Sequence, residues 1–259
     1  MASNTNKDHA LLSVAGEVAT LTLNRPQAYN AIDRAMAERL RDLAIEIERR
    51  AEIKVVVVRG EGKAFCGGGD IRHFAANLDD IGTCIRDLLT PYHEFLVRLR
   101  RMPKLILASV HGSAAGAGLS LVSMCDLAIA ADDALFTPAY AKIGVSPDGG
   151  GTFGLARTIG ARRALQIQLG EDNFTAQQAE QWGLLARTAP AAALADETAA
   201  YAERLCRTSH EAIANTKRLL RASANAGLED HLIDEMESLI RCMATPTFVS
   251  AVARFVSKD

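Results

Sequence analysis

Aromatic residues make up only 5% of the 259-residue chain, and Trp182 is the single tryptophan. No apolar stretch approaches the length that spans a bilayer, so the sequence does not read as a membrane protein. Basic residues never gather beyond pairs such as Arg100–Arg101 and Arg162–Arg163, and the formal net charge is −2. That excludes nucleic-acid binding through a charged face. The five cysteines, Cys66, Cys84, Cys125, Cys206 and Cys242, are odd in number, form no C-x-x-C pair and have no histidine at metal-ligand spacing. Neither a disulfide framework nor a metal site follows, and free thiols in a reducing cytoplasm fit best. The opening "MASNTNKDHA" has neither the apolar core of a signal peptide nor the Arg-rich pattern of a transit peptide, so residues 1–10 read as a disordered tail. What remains, 49% apolar and 23% charged, is an ordinary globular composition.

The periodicities are those of an α/β chain. "VATLTLN" (Val18–Asn24) alternates as a strand does, and Ile32, Met36, Leu40, Leu43 and Ile47 recur at helical steps. "KVVVVRG" and "LILASV" are apolar runs of the kind buried on both faces in a parallel sheet. A glycine- or alanine-rich loop follows each of them, "CGGGD" and "HGSAAGAG", and a helix follows each loop. The helix after "CGGGD" is expected to be interrupted or kinked near Pro91. "LSLVSMCD" reads as a helix and "LAIA" as a third short strand. This strand–loop–helix unit recurs at a spacing of roughly fifty residues, a weak internal repeat. From Gly149 the strand signal fades. "TAQQAEQWG" carries a capping-box pattern at Thr175 and Gln178, and four helical patterns close the chain. The expected organisation is a core over residues 11–192 and a helical region over 193–259.

Several motifs invite a chemical reading. "GGGTFG" (Gly149–Gly154) matches G-x-G-x-x-G with Glu171 downstream, but no buried strand leads directly into it. Asp148 would also put a negative charge where a pyrophosphate should sit. "GLSLV" nearly matches a nucleophile elbow, but Val122 crowds the turn and no histidine is marked as a base, so Ser120 reads as a small packed residue. The two small-residue loops carry more. On neighbouring strands they can aim two backbone N–H groups at one point, as an oxyanion hole requires, although tight packing turns would look the same.

The segments "LNRPQAYNAID", "KAFCGGGDI", "VHGSAAGAGLSLVSMCDLAIAADDALFTPAYAKIGVSPDGGG", "GLARTIGARRA" and "AEQWGLL" occur in this order. Together they resemble the enoyl-CoA hydratase/isomerase family, the crotonase superfamily, over nearly the whole chain. The resemblance implies a spiral of ββα units with a helical trimerisation region, and so a homotrimer or a dimer of trimers. It implies an acyl-CoA thioester as substrate and no separate cofactor. It places the oxyanion-hole donors on Gly69 and Ala117, where relatives more often have a second glycine. It places CoA contacts on Ala28, Ala64, Cys66, Gly67, Gly68, Asp70 and Ile71, with Lys258 near a phosphate and Tyr140 at the acyl pocket.

The two glutamates of the family's hydratases fall on Ser120 and Tyr140, so both carboxylates are absent. Asp148 in "SPDGGG" falls where some of the superfamily's isomerases carry their acid and its dehalogenases their nucleophile. One carboxylate suffices to move a proton between two carbons while the hole holds an enolate. The resemblance therefore implies an enoyl-CoA isomerase with Asp148 as its base. The alternatives are a dehalogenase-like hydrolase, an atypical hydratase and a non-catalytic acyl-CoA-binding homologue. The competing structural role for Asp148 is to cap the helix expected to begin at Gly149.

Overall fold

The computed structural model of the chain describes residues 9–170 and 173–257. Residues 1–8 of the expected tail and Lys258 lie outside that range, and Ala10 already opens the first strand. Strands β1 (Ala10–Ala15) and β2 (Val18–Leu23) form an antiparallel hairpin. Helix α1 (Arg34–Arg49) buries Met36, Leu40, Leu43 and Ile47, and β3 (Val55–Gly60) follows. The short α2 (Ile71–Ala75) leads to α3 (Ile81–Arg101) and then to β4 (Leu105–Val110). Of the interruption or kink expected near Pro91, the interruption is absent: α3 runs on through the proline. Burial of Leu88, Tyr92, Phe95 and Leu96 on that helix offsets the hydrogen bond that the proline removes.

The loop expected over "HGSAAGAG" contains a strand, β5 (Ser113–Ala115), and α4 (Ala117–Met124) starts within it. Beyond these come β6 (Leu127–Ala131), β7 (Leu135–Thr137), α5 (Gly151–Ile159) and α6 (Ala161–Gly170). β8 (Phe174–Thr175) leads into α7 (Ala176–Gln181), whose capping box at Thr175 and Gln178 is formed. β9 (Arg187–Ala189) is followed by α8 (Leu194–Cys206), α9 (His210–Ala222), α10 (Leu228–Met243) and α11 (Pro246–Val256).

Two sheets result. The larger has the order β1-β2-β3-β4-β6-β9 and is parallel from β2 onward; the smaller has the order β5-β7-β8. Cys66 joins the smaller sheet through an isolated parallel bridge to Ala114. Three successive units therefore share one plan: a strand in the large sheet, a short strand or bridge residue in the small one, then helix. They are β3–Cys66–α2/α3, β4–β5–α4 and β6–β7–α5/α6. This is the expected ββα spiral, with three turns where the sequence displayed two.

In the C-terminal region, α9 is fastened to the core by a buried ion pair. Lys217 Nζ lies 2.6 Å from an Asp126 carboxylate oxygen and also donates to the carbonyls of Leu99 and Lys104. Burial pulls the Lys217 pKa down and pushes that of Asp126 up, each countered in part by the other's charge. Helices α10 and α11 meet at 78°, and no single described helix is long and apolar enough to cross a membrane. On α10, Leu228, Ile233 and Leu239 are each more than half exposed.

Candidate active site

The glycine-rich loop after β3 is held between two neighbours. On one side Cys66 pairs with β5: its N–H donates to Ser113 O at 3.1 Å, and its carbonyl accepts from Ala115 N at 2.9 Å. On the other side lies the 29–32 segment. Gly67 N donates to Tyr29 O at 2.8 Å, Ile32 N to Gly68 O at 2.7 Å, and Asp70 N to Ile32 O at 3.0 Å. Were the parallel ladder with β5 to continue regularly, Gly68 O would accept from Ala117 N. Instead Gly68 has φ +102°, and its carbonyl points to Ile32. In a trans peptide the N–H points opposite to the C=O. The Gly69 N–H is therefore turned toward α4, where the Ala117 N–H is left without its ladder partner. Among the described residues neither N–H has a hydrogen-bond acceptor. Ala117 is also the first residue of α4, so the positive end of that helix points the same way. The two N–H groups that the sequence singles out are thus both left without a partner on adjoining segments, and a pair of free donors of this kind can receive an oxygen that gains negative charge.

Asp148 is linked to α4 through two hydroxyls. The Tyr140 hydroxyl donates to Asp148 Oδ1, and Ser120 Oγ lies 3.3 Å from the same phenol oxygen. Because the phenol hydrogen is committed to the carboxylate, Ser120 is the donor to Tyr140. Ser120 sits three residues after Ala117, on the same face of α4 and fully buried. Burial, reinforced by the neighbouring Asp148 charge and hydrogen bond, drives the Tyr140 pKa far above its ordinary value, so the phenol stays protonated.

The competing role for the Asp148 side chain, a helix cap, is not taken up. Helix α5 begins at Gly151, not Gly149, and its N-cap is Gly150 with no side-chain bond; Asp148 offers only its backbone carbonyl to Gly151 N, at 2.9 Å. The glycines after it serve close packing. A Cβ at Gly151 would stand 2.5 Å from Ser120 Oγ, and one at Gly150 equally close to Met124 Sδ. The run "GGG" thus lets the segment carrying Asp148 lie directly on α4.

The remaining expected contacts divide. Gly67 is exposed, Ile71 is 54% exposed and Ala28 is partly exposed in a one-turn 3₁₀ segment, so all three stay accessible. Gly68 shapes the hole through its backbone. Ala64 is buried, with its carbonyl taken by Asn30 Nδ2 at 2.7 Å. Two of these residues have their polar groups engaged within the protein. Cys66 presents no group to a ligand: its backbone groups pair with β5, and its fully buried thiol donates to Asn30 O, with burial pushing its pKa up to about 12. Asp70 is likewise occupied, accepting from Arg72 N and His73 N as the α2 N-cap and from Arg25 at 3.0 Å. Burial alone would raise its pKa, but the guanidinium and the helix N–H groups outweigh it and hold the carboxyl below its usual value.

Two supporting residues gave no sequence signal. Asn30 ties the 25–31 turn to the carbonyls of Glu61, Ala64 and Phe65. Tyr92, fully buried on α3, donates to Ala117 O at 3.5 Å and lies against Gly149. Trp182 packs against Phe174 with its ring tilted by 44° and lies under Arg163, and His93 is exposed on α3.

The ββα spiral with its helical C-terminal region is the crotonase fold, shared with enoyl-CoA hydratases of known structure. The enoyl-CoA hydratase/isomerase family model matches residues 14–259, and the chain belongs to that family of acyl-CoA enzymes. It is 32% identical over 242 residues to a probable enoyl-CoA hydratase of Rhodobacter capsulatus, covering 93% of this chain and 92% of the relative. It is 30% identical over 247 residues to the 1,2-epoxyphenylacetyl-CoA isomerase of Escherichia coli, covering 93% and 92%. The crystal structure of an enoyl-CoA hydratase from Polaromonas sp. JS666 superposes with a TM-score of 0.91 at 30% identity, covering 96% of this chain and 97% of that one.

Proposed function

We propose that the protein is an enoyl-CoA isomerase in which Asp148 carries a proton from one carbon of the acyl chain to another. The observation that carries this reading is the direct hydrogen bond between Ser120 and Tyr140. In the resemblance these are the two positions whose carboxylates hold the attacking water of a hydratase. Here neither is a base, and at 3.3 Å the two oxygens bond to each other with no space for a water between them.

In the proposed reaction the thioester oxygen lies between the Gly69 and Ala117 N–H groups. A C–H bond conjugated to the thioester breaks, its proton goes to Asp148, and its electron pair passes into an enolate that the two donors stabilise. The proton then returns at another carbon, so no atom is gained or lost and no separate cofactor is needed. The exposed apolar faces of α10 and α11 fit assembly into trimers, and the similarity to an epoxyphenylacetyl-CoA isomerase makes ring-derived acyl groups reasonable substrates.

The test is incubation with 3-enoyl-, 2-enoyl- and ring-epoxide CoA thioesters, followed by mass and absorbance. Isomerisation leaves the mass unchanged, whereas a gain of one water would replace the reading with hydration. Asp148→Asn should lower turnover by at least ~10²-fold, the low end of what a positioned base supplies, with thioester affinity little changed. A variant that turns over like wild type would remove Asp148 from the chemistry.

A further inference from the structure

We infer that Tyr140 is a positioning residue that selects which oxygen of Asp148 handles the proton. Resting on the reading of Asp148 as the base, this adds what decides its geometry. The Tyr140 phenol donates to Oδ1. Oδ2 has no hydrogen-bond partner among the described residues. A carboxylate attached through one rotatable bond ordinarily presents either oxygen in turn. Here one is held and one is open, so the proton leaves carbon for Oδ2 and returns from Oδ2.

The holding chain is anchored at its far end. The phenol hydrogen has two acceptors, both on Asp148, the nearer being Oδ1 and the farther the backbone carbonyl at 3.5 Å, which leaves Ser120 to donate to the phenol oxygen. Ser120 is fully buried on α4 and is covered by the close approach of Gly151. On the other flank Gly149 lies against the Tyr92 ring, which fixes the backbone next to Asp148. Ser120, Tyr140 and Asp148 thus form one directed line from the helix that carries the Ala117 donor to the reactive oxygen. The titratable groups bearing on this line are Tyr92 of α3 and, beside that phenol, Cys66 and Cys125; burial keeps all three protonated.

A carboxylate held still on a partly buried site returns the proton it took, whereas one free to rotate exposes the new carboxyl proton to solvent exchange. The distinguishing readout is therefore the deuterium content of product formed in D2O, together with kcat and KM. In Tyr140→Phe the ring remains and only the donor is lost. The expected result is a kcat lower by about tenfold from lost orientation, KM within twofold, and product carrying more solvent deuterium than wild type gives. Unchanged kcat with unchanged deuterium content would overturn the inference, as would a rise in KM alone.

Should Tyr140→Phe fail to fold, Ser120→Ala loosens the same line from its other end. It should raise deuterium content by a smaller amount, and no rise would overturn the inference equally. The two readings fail separately. A wild-type enzyme that isomerises none of the thioesters above removes the base reading. A wild type that isomerises through Asp148, with both variants leaving the isotope pattern untouched, removes the role of Tyr140 alone.

Discussion

A Cβ placed on Gly68 would lie 3.5 Å from the Ala117 nitrogen and 3.0 Å from the Ala115 carbonyl oxygen, on the side of the loop that faces the start of α4. Gly68 is also held at φ +102°, which side-chain-bearing residues rarely adopt. Gly68→Ala should relax by turning the 68–69 peptide back toward the strand geometry, which takes the Gly69 N–H out of the hole. Turnover should fall by about 10²–10³-fold, the cost of one lost oxyanion donor. Steady-state kinetics beside thermal melting would check it: a folded variant with wild-type turnover would show that Gly69 is not a donor.

Ser120→Ala should keep turnover within a few-fold of wild type, because Ser120 acts on the carboxylate only through Tyr140. A thousandfold loss, roughly 4 kcal/mol of barrier, would make Ser120 a direct participant and bring back a hydrolase-like mechanism.

Asp70→Asn keeps the α2 cap and removes the charge facing Arg25, which also lies 3.1 Å from Asp33. The folded carboxyl titrates below its unfolded value of about 3.9. Its contribution to stability is therefore present above that unfolded value and is lost as pH falls through the folded one. The variant should be less stable than wild type by about 1 kcal/mol at pH 7, with the two converging in strong acid. Urea melts across pH would show a constant difference if the ion pair were irrelevant.

Lys217→Met leaves Asp126 buried without its cation and should cost about 3–5 kcal/mol. Adding Asp126→Asn should recover part of that loss, since an uncharged side chain no longer needs the partner. Denaturant unfolding of the single and double variants measures the recovery, and strictly additive losses would refute the coupling.

The apolar side chains left open on α10 and α11 need cover, so the chain should run as a trimer or a dimer of trimers in light scattering at micromolar concentration. A stable monomer there would refute the assembly.

The sequence was most legible where one local pattern dominated. The valine run of β3, the helical spacing of α1 and the Thr175–Gln178 capping box all formed as read, because burial and short-range hydrogen bonds decide them. Strands β5, β7, β8 and β9 were not legible: each has two or three residues, too few for alternation to register, and they exist by pairing with distant segments. The same divide runs through the site. Gly69, Ala117 and Asp148 sit in motifs that carry a family resemblance. What joins them, the turned Gly68 peptide, the Ser120–Tyr140 bond and the Asn30 and Tyr92 supports, comes from contacts between segments far apart in the chain. The partners of Cys66 and Asp70 were hidden for that reason, since their motif is shared but their polar groups are engaged by neighbours that the motif does not mention.

The loop that carries Gly69 is fastened on both sides without any ligand, the Gly68 peptide by Ile32 and Cys66 by β5, the strand that leads into Ala117. The binding-competent state is thus the resting state of these two loops. An enzyme whose competent form is a small fraction of its population binds more weakly by that fraction. On the proposed reaction, the thioester carbonyl meets no such penalty. Whatever ordering its substrate still demands falls on the distal acyl chain and the nucleotide end of CoA, so differences in affinity among acyl groups will report on those ends.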